Sequence, residues 1–242
     1  MPNRMKCLVD DGLPVTVARL TGVLDPTTTA AVQTALQRCL ADQPDALVVD
    51  LHGLTVPDRS TLSVFASIAR QAAEWPAVPM LLCSPDPDTA WQLAHSPVSG
   101  LVPVRASRSA ALRDAQRPGA SPRLRTRLQP VVDACRQARE LATEACARWH
   151  LPEVADAARV VLSELVANGV RHARTPMEVT LTLRRPYLHV AVHDGSVAAP
   201  RPVTADLSTT GGRGILLIRE LAQRWGTLPA GNGKVVWASL AA

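Results

Sequence analysis

A stretch rich in proline, glycine, serine and arginine interrupts the chain near its midpoint, at residues 117–125. Such a composition favours turns over helix or strand and is typical of a linker. The 242 residues are enough for two small domains, since a domain commonly has about 100–200 residues. We therefore predict one domain at residues 1–116, a linker at residues 117–127 and a second domain at residues 128–242.

Strand and helix patterns alternate before this break. Residues 15–20 alternate apolar and polar side chains as a strand does, and Asp25 with Pro26 suits the start of a helix. The compact apolar runs at residues 46–51 and 78–83 indicate buried strands. Such an alternation predicts an α/β domain in which helices cover a sheet. We expect its helices at residues 25–40, 60–73, 86–95 and 107–116.

The pattern after the break is different, because two long helical segments come first and hairpins follow. This order predicts an α/β sandwich of another type. We expect its helices at residues 128–149, 152–173 and 212–225. We expect its strands at residues 178–183, 187–193, 226–228 and 235–240.

Composition narrows the class of protein. No apolar run reaches the ~18 residues that indicate a membrane span, and the first residues lack the apolar stretch of a signal peptide. The five cysteines include no Cys-x-x-Cys pair, which favours free thiols in a reducing compartment over metal sites or disulfides. We expect a cytoplasmic protein that does not enter a membrane.

Charge is distributed unevenly between the two halves. The first 116 residues carry 9 basic and 11 acidic side chains, whereas the remaining residues carry 17 and 10. A basic domain is compatible with an anionic partner. However, 24 of the 26 basic residues are arginine and aromatic residues make up only 3% of the chain, so few side chains can stack on bases. We therefore expect no direct binding of nucleic acid.

Polar residues stand out in two segments of the second half. Glu164 and Asn168 are four residues apart in a predicted helix, so they share one face. Asp194 follows a predicted strand and precedes Gly195, where a carboxylate could accept a hydrogen bond from an exocyclic amine and a ligand could approach the backbone. A solvated helix face and a strand that ends in a turn would give the same patterns.

A third segment is the glycine-rich run at residues 211–214, immediately before an apolar helix. Glycines at this position let backbone N–H groups meet a phosphate at the positive end of the helix. A helix start that simply needs flexible glycines would have the same sequence.

Together and in this order, the three segments resemble the N, G1 and G2 boxes of the GHKL ATPase superfamily, in particular its anti-sigma-factor serine kinases. The resemblance covers roughly residues 125–242 and implies a GHKL (Bergerat) α/β sandwich that binds ATP and Mg²⁺. Ser196 departs from the pattern, because it stands where the first glycine box has its first glycine.

The resemblance implies a function for each of these residues. Asn168 would coordinate the Mg²⁺ that bridges the ATP phosphates. Asp194, with Gly195 beside it, would recognise the adenine amine. Glu164 would be the general base that takes the proton from a substrate hydroxyl. The loop that closes over the phosphates would contribute the remaining nucleotide-binding residues, Gly212, Arg213 and Gly214.

The first half of the chain carries its own resemblance. A buried strand and a loop lead to Asp58-Arg59-Ser60-Thr61-Leu62 at a predicted helix start. This segment resembles the D-S-S-G-L signature of STAS (anti-anti-sigma factor) domains, with Arg59 in place of the first serine and Thr61 in place of the glycine. The resemblance implies that Ser60 is the phosphorylated serine, although Asp58 and Ser60 also suit ordinary helix capping.

The two resemblances imply a regulator that works by partner switching. It would bind a sigma factor or a STAS-domain antagonist and phosphorylate a STAS serine. Its own Ser60 is a candidate substrate, in cis or in a homodimer, because a short tether gives an effective concentration on the order of mM. Two alternatives stay open: a catalytically silent ATP-binding module that sequesters a partner, and a fragment of a sensor histidine kinase. The second is disfavoured by the lack of a separate helix with a phospho-acceptor histidine.

Overall fold

The computed structural model describes residues 5–10, 14–116, 121–197 and 213–242. The chain separates into two compact units, Met1–Ala120 and Ser121–Ala242. The division lies within the segment that the sequence analysis assigns to a linker. Among the described residues, no helix is long and apolar enough to cross a membrane, and all five cysteines are free thiols.

The first unit is the expected α/β domain. Its strands are β1 (Lys6–Asp10), β2 (Val15–Val23), β3 (Ala46–Asp50), β4 (Leu54–Thr55), β5 (Met80–Cys83) and β6 (Val104–Arg105). Its helices are α1 (Thr29–Ala41), α2 (Ser63–Glu74), α3 (Pro87–Ala94) and α4 (Arg108–Ala115). The sheet has the order β1-β2-β3-β5-β6, with β4 beside the end of β2, and its pairs are parallel except β1 with β2.

Burial explains which strands the sequence revealed. Every residue of β3 and β5 is buried, because helices cover both faces of a parallel sheet, and such strands appear as continuous apolar runs. The edge strand β1 was not predicted, since four of its five residues are exposed. Helix α1 begins later than expected, because the Asp25 carboxylate accepts the N–H groups of Thr27 and Thr28 and closes a turn before the helix.

The second unit has helices on one face of an antiparallel sheet. Its elements are β7 (Arg123–Leu128), α5 (Ala134–Arg148), α6 (Ala155–Asn168), β8 (Met177–Arg184), β9 (Tyr187–Asp194), α7 (Arg213–Leu221), β10 (Arg224–Ala230) and β11 (Gly233–Ala241). The strand order is β10-β11-β9-β8-β7. Residues 123–127, assigned to the linker from sequence, instead pair with β8 in the edge strand β7. Their arginine-rich composition concealed the alternation of a half-exposed edge strand.

Alternate residues of the central strands face the helices. Val179 and Leu181 of β8, Val190 and Val192 of β9, and Ala238 of β11 are buried in one apolar cluster with residues of α5 and α6. The opposite side chains of these strands therefore point away from the helices, since side chains alternate along a strand. This parity decides which strand-end residues can contribute to a site beside α6.

Candidate functional site

Helix α6 carries the first two site residues to one end of the helix layer. Asn168 is the last residue of α6 and Glu164 lies one turn before it. Their helical spacing places both side chains on one face. The Glu164 side chain is 28% exposed, so it is partly accessible to solvent. The pair therefore offers a carboxylate and an amide side by side at the surface.

Arg171, which was not predicted from the sequence, connects these two groups. Its Nη2 lies 3.3 Å from Asn168 Oδ1 and 3.9 Å from Glu164 Oε2. Its Nε donates to the carbonyl of Ala167 at 3.2 Å, which anchors the guanidinium over the end of the helix. Arg171 stands three residues after Asn168, so helical spacing would have indicated this neighbour.

The start of α7 lies directly against Glu164. A Cβ atom added to Gly214 would overlap Oε2 of Glu164, so any other residue at this position would displace the carboxylate. The structure thus brings Gly214 and Glu164 together, although they are 50 positions apart in the sequence. Gly212 lies outside the described residues. Arg213 is the first residue of α7, but its side chain is not among the described ones.

Asp194 ends β9 with a carboxylate that is only 4% exposed. Its Oδ1 accepts the N–H of Ser196 at 2.8 Å, so Ser196 closes the turn that a glycine forms in the usual box. The N–H of Gly195 donates to Thr175 Oγ1 at 2.9 Å. Thr175, which was not predicted, therefore fixes the turn against the segment that follows α6.

Lys234 is a further residue of the candidate site, and it was not predicted from the sequence. It pairs with Asp194 in register across β11 and β9, and its Nζ lies 2.9 Å from Asp194 Oδ1 and 3.2 Å from the carbonyl oxygen of Ser196. The Lys234 side chain is 10% exposed. A Cβ atom on Gly233 would overlap the carbonyl of Asp194, so this glycine permits the close approach of the strands. A lysine in a chain whose basic residues are nearly all arginine was the available signal.

Strand parity places this ion pair on the helix side of the sheet. Asp194 continues the row of Val190 and Val192, and Lys234 continues the row of Ala238. The carboxylate and the ammonium therefore face the same layer as α6. A cavity of about 400 Å³ opens at this end of the sheet and is lined by Asp194, Gly195 and Thr175. Its lining also includes Arg127, Glu178 and His193, which belong to the opposite row of the sheet, and does not include Lys234, Glu164 or Asn168.

In the first unit, Asp58 caps the short 3₁₀ turn Arg59–Leu62 that precedes α2. Its Oδ1 accepts the N–H of Ser60 and its Oδ2 accepts the Ser60 hydroxyl, each at 2.8 Å. These two hydrogen bonds lower the pKa of the Asp58 carboxyl below its usual range. Ser60 is exposed, so its hydroxyl is presented at the helix start beside a carboxylate.

Thr61, in the position of the usual glycine, turns inward. It is buried, and its hydroxyl donates to the carbonyl oxygens of Asp58 at 2.6 Å and of Leu24 at 3.3 Å. Its side chain thus ties the helix start to the end of β2 and leaves the Ser60 surface clear. A groove of about 650 Å³ runs from Ser60 along α2 to Arg70.

Comparison with protein families agrees with both descriptions. The family model of the STAS domain matches residues 8–111, and that of the histidine kinase-like ATPase domain matches residues 128–240. These are an α/β domain and a helix-on-sheet domain, as predicted from the sequence. The chain is a STAS domain joined to a histidine kinase-like ATPase domain.

Solved structures similar to this chain are of the same kinds. An anti-sigma factor antagonist from Mycobacterium paratuberculosis is 22% identical, with a TM-score of 0.42, over 48% of this chain and 97% of its own. The Bacillus cell fate determinant SpoIIAA in its phosphorylated form is 16% identical, with a TM-score of 0.37, over 46% and 100%.

A third similar structure contains the RsbU and RsbW domains of a Mycobacterium tuberculosis protein. It is 15% identical, with a TM-score of 0.38, over 77% of this chain and 47% of its own. Among curated proteins, none matches the sequence significantly.

Proposed function

We propose that this chain is an ATP-dependent serine kinase of the partner-switching type, which binds a sigma factor or a STAS-domain antagonist and phosphorylates a STAS serine. The observation that carries the proposal is Glu164, one helical turn from Asn168 and directly against the start of α7 at Gly214. The residues proposed as general base, metal ligand and phosphate-binding helix start therefore lie close together in a domain of the histidine kinase-like ATPase type.

The nucleotide would bind between α6, the end of β9 and the start of α7. Asp194 would accept a hydrogen bond from the adenine amine, and Gly195 would let the base approach the backbone. The backbone N–H groups at the start of α7, from Gly212 through Gly214, would meet the phosphates, because the N-terminus of a helix attracts anions. Arg213 would add its positive charge there.

The site fits Mg²⁺ carried in with the nucleotide. No group of three or more His, Cys, Asp or Glu side chains that could hold a metal occurs in the described ranges. Asn168 offers one amide oxygen at the end of α6, and Mg²⁺ commonly takes one or two protein oxygens, with phosphates and water completing its shell. When bound, the ion supplies charge neutralisation at the transferred phosphoryl group.

Glu164 would act on the substrate serine. Its carboxylate would accept the hydroxyl proton as the serine oxygen bonds to the γ-phosphorus and the bond to the leaving ADP oxygen breaks. Phosphoryl transfer depends mainly on alignment and charge, and general-base help is typically worth ~10²–10⁴-fold in rate. Because ATP is the substrate, the proposal places the activity in the cytoplasm.

Ser60 is the proposed acceptor within this chain, either in cis or in a homodimer. Its exposed hydroxyl is bonded to Asp58, and a phosphate there would add about −1.5 to −2 charges at a helix start. The helix end tolerates an anion, so the domain would stay folded. A partner docked on this surface would meet new charge and would be released.

Phosphosite mapping tests the proposed activity. The full chain is incubated with Mg-ATP, and phosphorylated residues are identified by mass spectrometry. We expect phosphate on Ser60 and its loss in Ser60→Ala. Ser63→Ala, which removes another exposed serine one turn away, is the matched control and should leave Ser60 phosphorylated. ATP binding without phosphate on Ser60 or on an added STAS protein would contradict the kinase proposal.

A silent ATP-binding module is the second candidate, and the position of Arg171 favours it. The guanidinium contacts both Asn168 and Glu164 and therefore occupies groups that a kinase needs. The variant Glu164→Gln separates the two candidates, with Glu140→Gln on the exposed face of α5 as control. A kinase should lose about 10²–10⁴-fold in transfer rate and keep its ATP affinity, whereas a silent module has no transfer to lose.

A further inference from the structure

The ion pair between Asp194 and Lys234 is buried, and burying two charges costs desolvation free energy. Their side chains are 4% and 10% exposed. Removing two charges from water costs about as much as their attraction returns, so a buried pair adds little net stability. Lys234 is moreover a lysine in a chain with 24 arginines among its 26 basic residues. These facts point to a use for the compact ammonium group that an arginine would not serve.

Within the described residues, the hydrogen bonds of this pair leave one acceptor, Asp194 Oδ2, and one N–H donor of Lys234 unused. Asp194 Oδ1 accepts from both the Ser196 N–H and Lys234 Nζ, while Oδ2 accepts from no residue in the described parts of the chain. An ammonium has three N–H donors. Lys234 directs them to Asp194 Oδ1 and to the Ser196 carbonyl, and the third has no acceptor within the described ranges.

This remaining pair suits the edge of a base. Adenine presents its N6 amino donor next to its N1 acceptor, and the edges of bases are read by such adjacent hydrogen bonds. Asp194 offers an acceptor and Lys234 offers a donor, and the two groups are joined at 2.9 Å. Both lie on the helix side of the sheet, so together they complement the donor and acceptor of adenine. Guanine presents the reverse order, with its O6 acceptor where adenine has a donor.

We propose that Lys234 is a base-recognition residue, whose ammonium donates to N1 of adenine while Asp194 Oδ2 accepts from the N6 amino group. This inference rests on the proposed binding of ATP. The other possibility is that Lys234 only holds Asp194 in place. The two differ in one respect: a residue that only positions Asp194 is indifferent to whether the base has a nitrogen at position 1.

The test therefore changes the ligand as well as the protein. Dissociation constants of ATP, 1-deaza-ATP and GTP are measured by calorimetry with the full chain in the presence of Mg²⁺. In 1-deaza-ATP a C–H group replaces N1, so the acceptor is lost and the amino group is kept. We expect the wild-type protein to bind 1-deaza-ATP roughly ten- to hundredfold more weakly than ATP, as is typical of a hydrogen bond from a charged group. GTP should bind more weakly still.

The variant Lys234→Met should bind ATP more weakly and should no longer distinguish ATP from 1-deaza-ATP. The matched control is Lys6→Met, which changes the other lysine at an exposed position of β1 and should keep the full discrimination. If Lys234→Met fails to fold, the comparison of the two ligands on the wild-type protein still decides.

The outcomes separate this inference from the proposed function. Equal affinities of the wild-type protein for ATP and 1-deaza-ATP would overturn the contact to N1 and leave ATP binding intact. Discrimination that persists in Lys234→Met would also overturn it. A wild-type protein that binds none of the three nucleotides would instead contradict the proposed ATP-binding function.

Discussion

Each domain has a buried strand that ends in an aspartate, and the two carboxylates differ in what their oxygens still offer. In the STAS domain, Asp50 ends β3, and both of its oxygens are occupied. Its Oδ1 accepts the His52 N–H at 3.1 Å and its Oδ2 pairs with Arg19 Nε at 3.1 Å. Arg19 is 43% exposed, so its charge remains partly in water. Asp50 thus closes a turn and holds two strands together.

In the ATPase domain, Asp194 ends β9, and a single oxygen takes both bonds. Its Oδ1 serves Ser196 and Lys234, and its partner Lys234 is itself buried. The second oxygen, Oδ2, accepts no hydrogen bond from the residues that the structure describes, and the side chain lies on the helix side of the sheet. Burial and an ion pair are therefore common to both aspartates. The two aspartates differ because both oxygens of Asp50 accept a hydrogen bond, whereas only Oδ1 of Asp194 does so among the described residues.

The largest expected difference concerns stability. Asp194→Ala leaves the buried Lys234 without its carboxylate and should cost about 3–5 kcal/mol. Asp50→Ala leaves the half-exposed Arg19, which water can solvate, and should cost about 1–2 kcal/mol. Urea titrations read by hydrogen exchange, with β9 and β3 followed separately, give the stability of each domain. Equal losses would show that the burial of the cationic partner is irrelevant.

Acid should weaken the ATPase domain before the STAS domain. Burial and the nearby charge of Arg184 lower the pKa of His189 from 6.5 to about 4. Between these values the unfolded chain takes up a proton that the folded chain does not, so stability falls as the pH drops from 6.5 towards 4. The total loss is on the order of 3 kcal/mol. Urea titrations between pH 7 and pH 4 measure it.

The variant His189→Gln is the control for this pH dependence. It keeps a polar group beside Ser239, the present hydrogen-bond partner of His189, and removes the titration. The slope of stability against pH between 6.5 and 4 should flatten in the ATPase domain. An unchanged slope would assign the effect to other groups.

A smaller effect is expected from the glycines beside the two aspartates. In Gly233→Ala the new Cβ would overlap the backbone carbonyl of Asp194, so β11 must shift, and the cost should be about 2–3 kcal/mol. In Gly53→Ala the new Cβ would make only ordinary van der Waals contact with Thr21, but the backbone has φ +84°, and the cost should be about 1 kcal/mol. Because only the first change moves Lys234, it alone should weaken ATP binding in calorimetry. A loss of ATP affinity in Gly53→Ala would contradict this reasoning.

The smallest effect is expected at the exposed Asp58. Asp58→Ala removes the cap that accepts the Ser60 N–H, and it should lower the melting temperature of the STAS domain slightly. The folded pKa of Asp58 is lowered, so this stabilisation is fully present above the ordinary value of 3.8 and is lost as the pH falls through the lower folded value. Melting curves of the variant and the wild type should therefore converge in acid. Curves that stay apart there would exclude the cap as the cause.

The sequence revealed most of the fold because the central strands carry uninterrupted apolar runs. Strands β3 and β5 consist entirely of buried residues. Helix α6 was recognised from the spacing of its polar residues, Glu164 and Asn168. The segments it concealed are the two edge strands. β1 is almost entirely exposed, and β7 alternates arginine with apolar or hydroxyl side chains. An edge strand gains much of its order from the neighbour that it pairs with.

For the site, the sequence supplied the residues that lie in compact motifs. It supplied Glu164 with Asn168 because helical spacing joins them, and Asp194 because it ends a strand. It missed Arg171 and Lys234. Arg171 lies in the helical turn Gly169–Ala173 that follows α6, so its spacing from Asn168 was a local signal that was not used. Lys234 reaches Asp194 only through the pairing of β11 with β9.

The sequence by itself determined the two domain types, their order and the identity of the polar groups at strand and helix ends, because local periodicity and turn chemistry encode these. Tertiary structure alone decided which of these groups meet. Strand register placed an ammonium against one oxygen of Asp194, while the other has no partner among the residues in the described ranges, and helix packing set Gly214 against Glu164. The hydrogen-bond partners of a group can be distant along the chain, so only the folded structure shows which donors and acceptors have no partner.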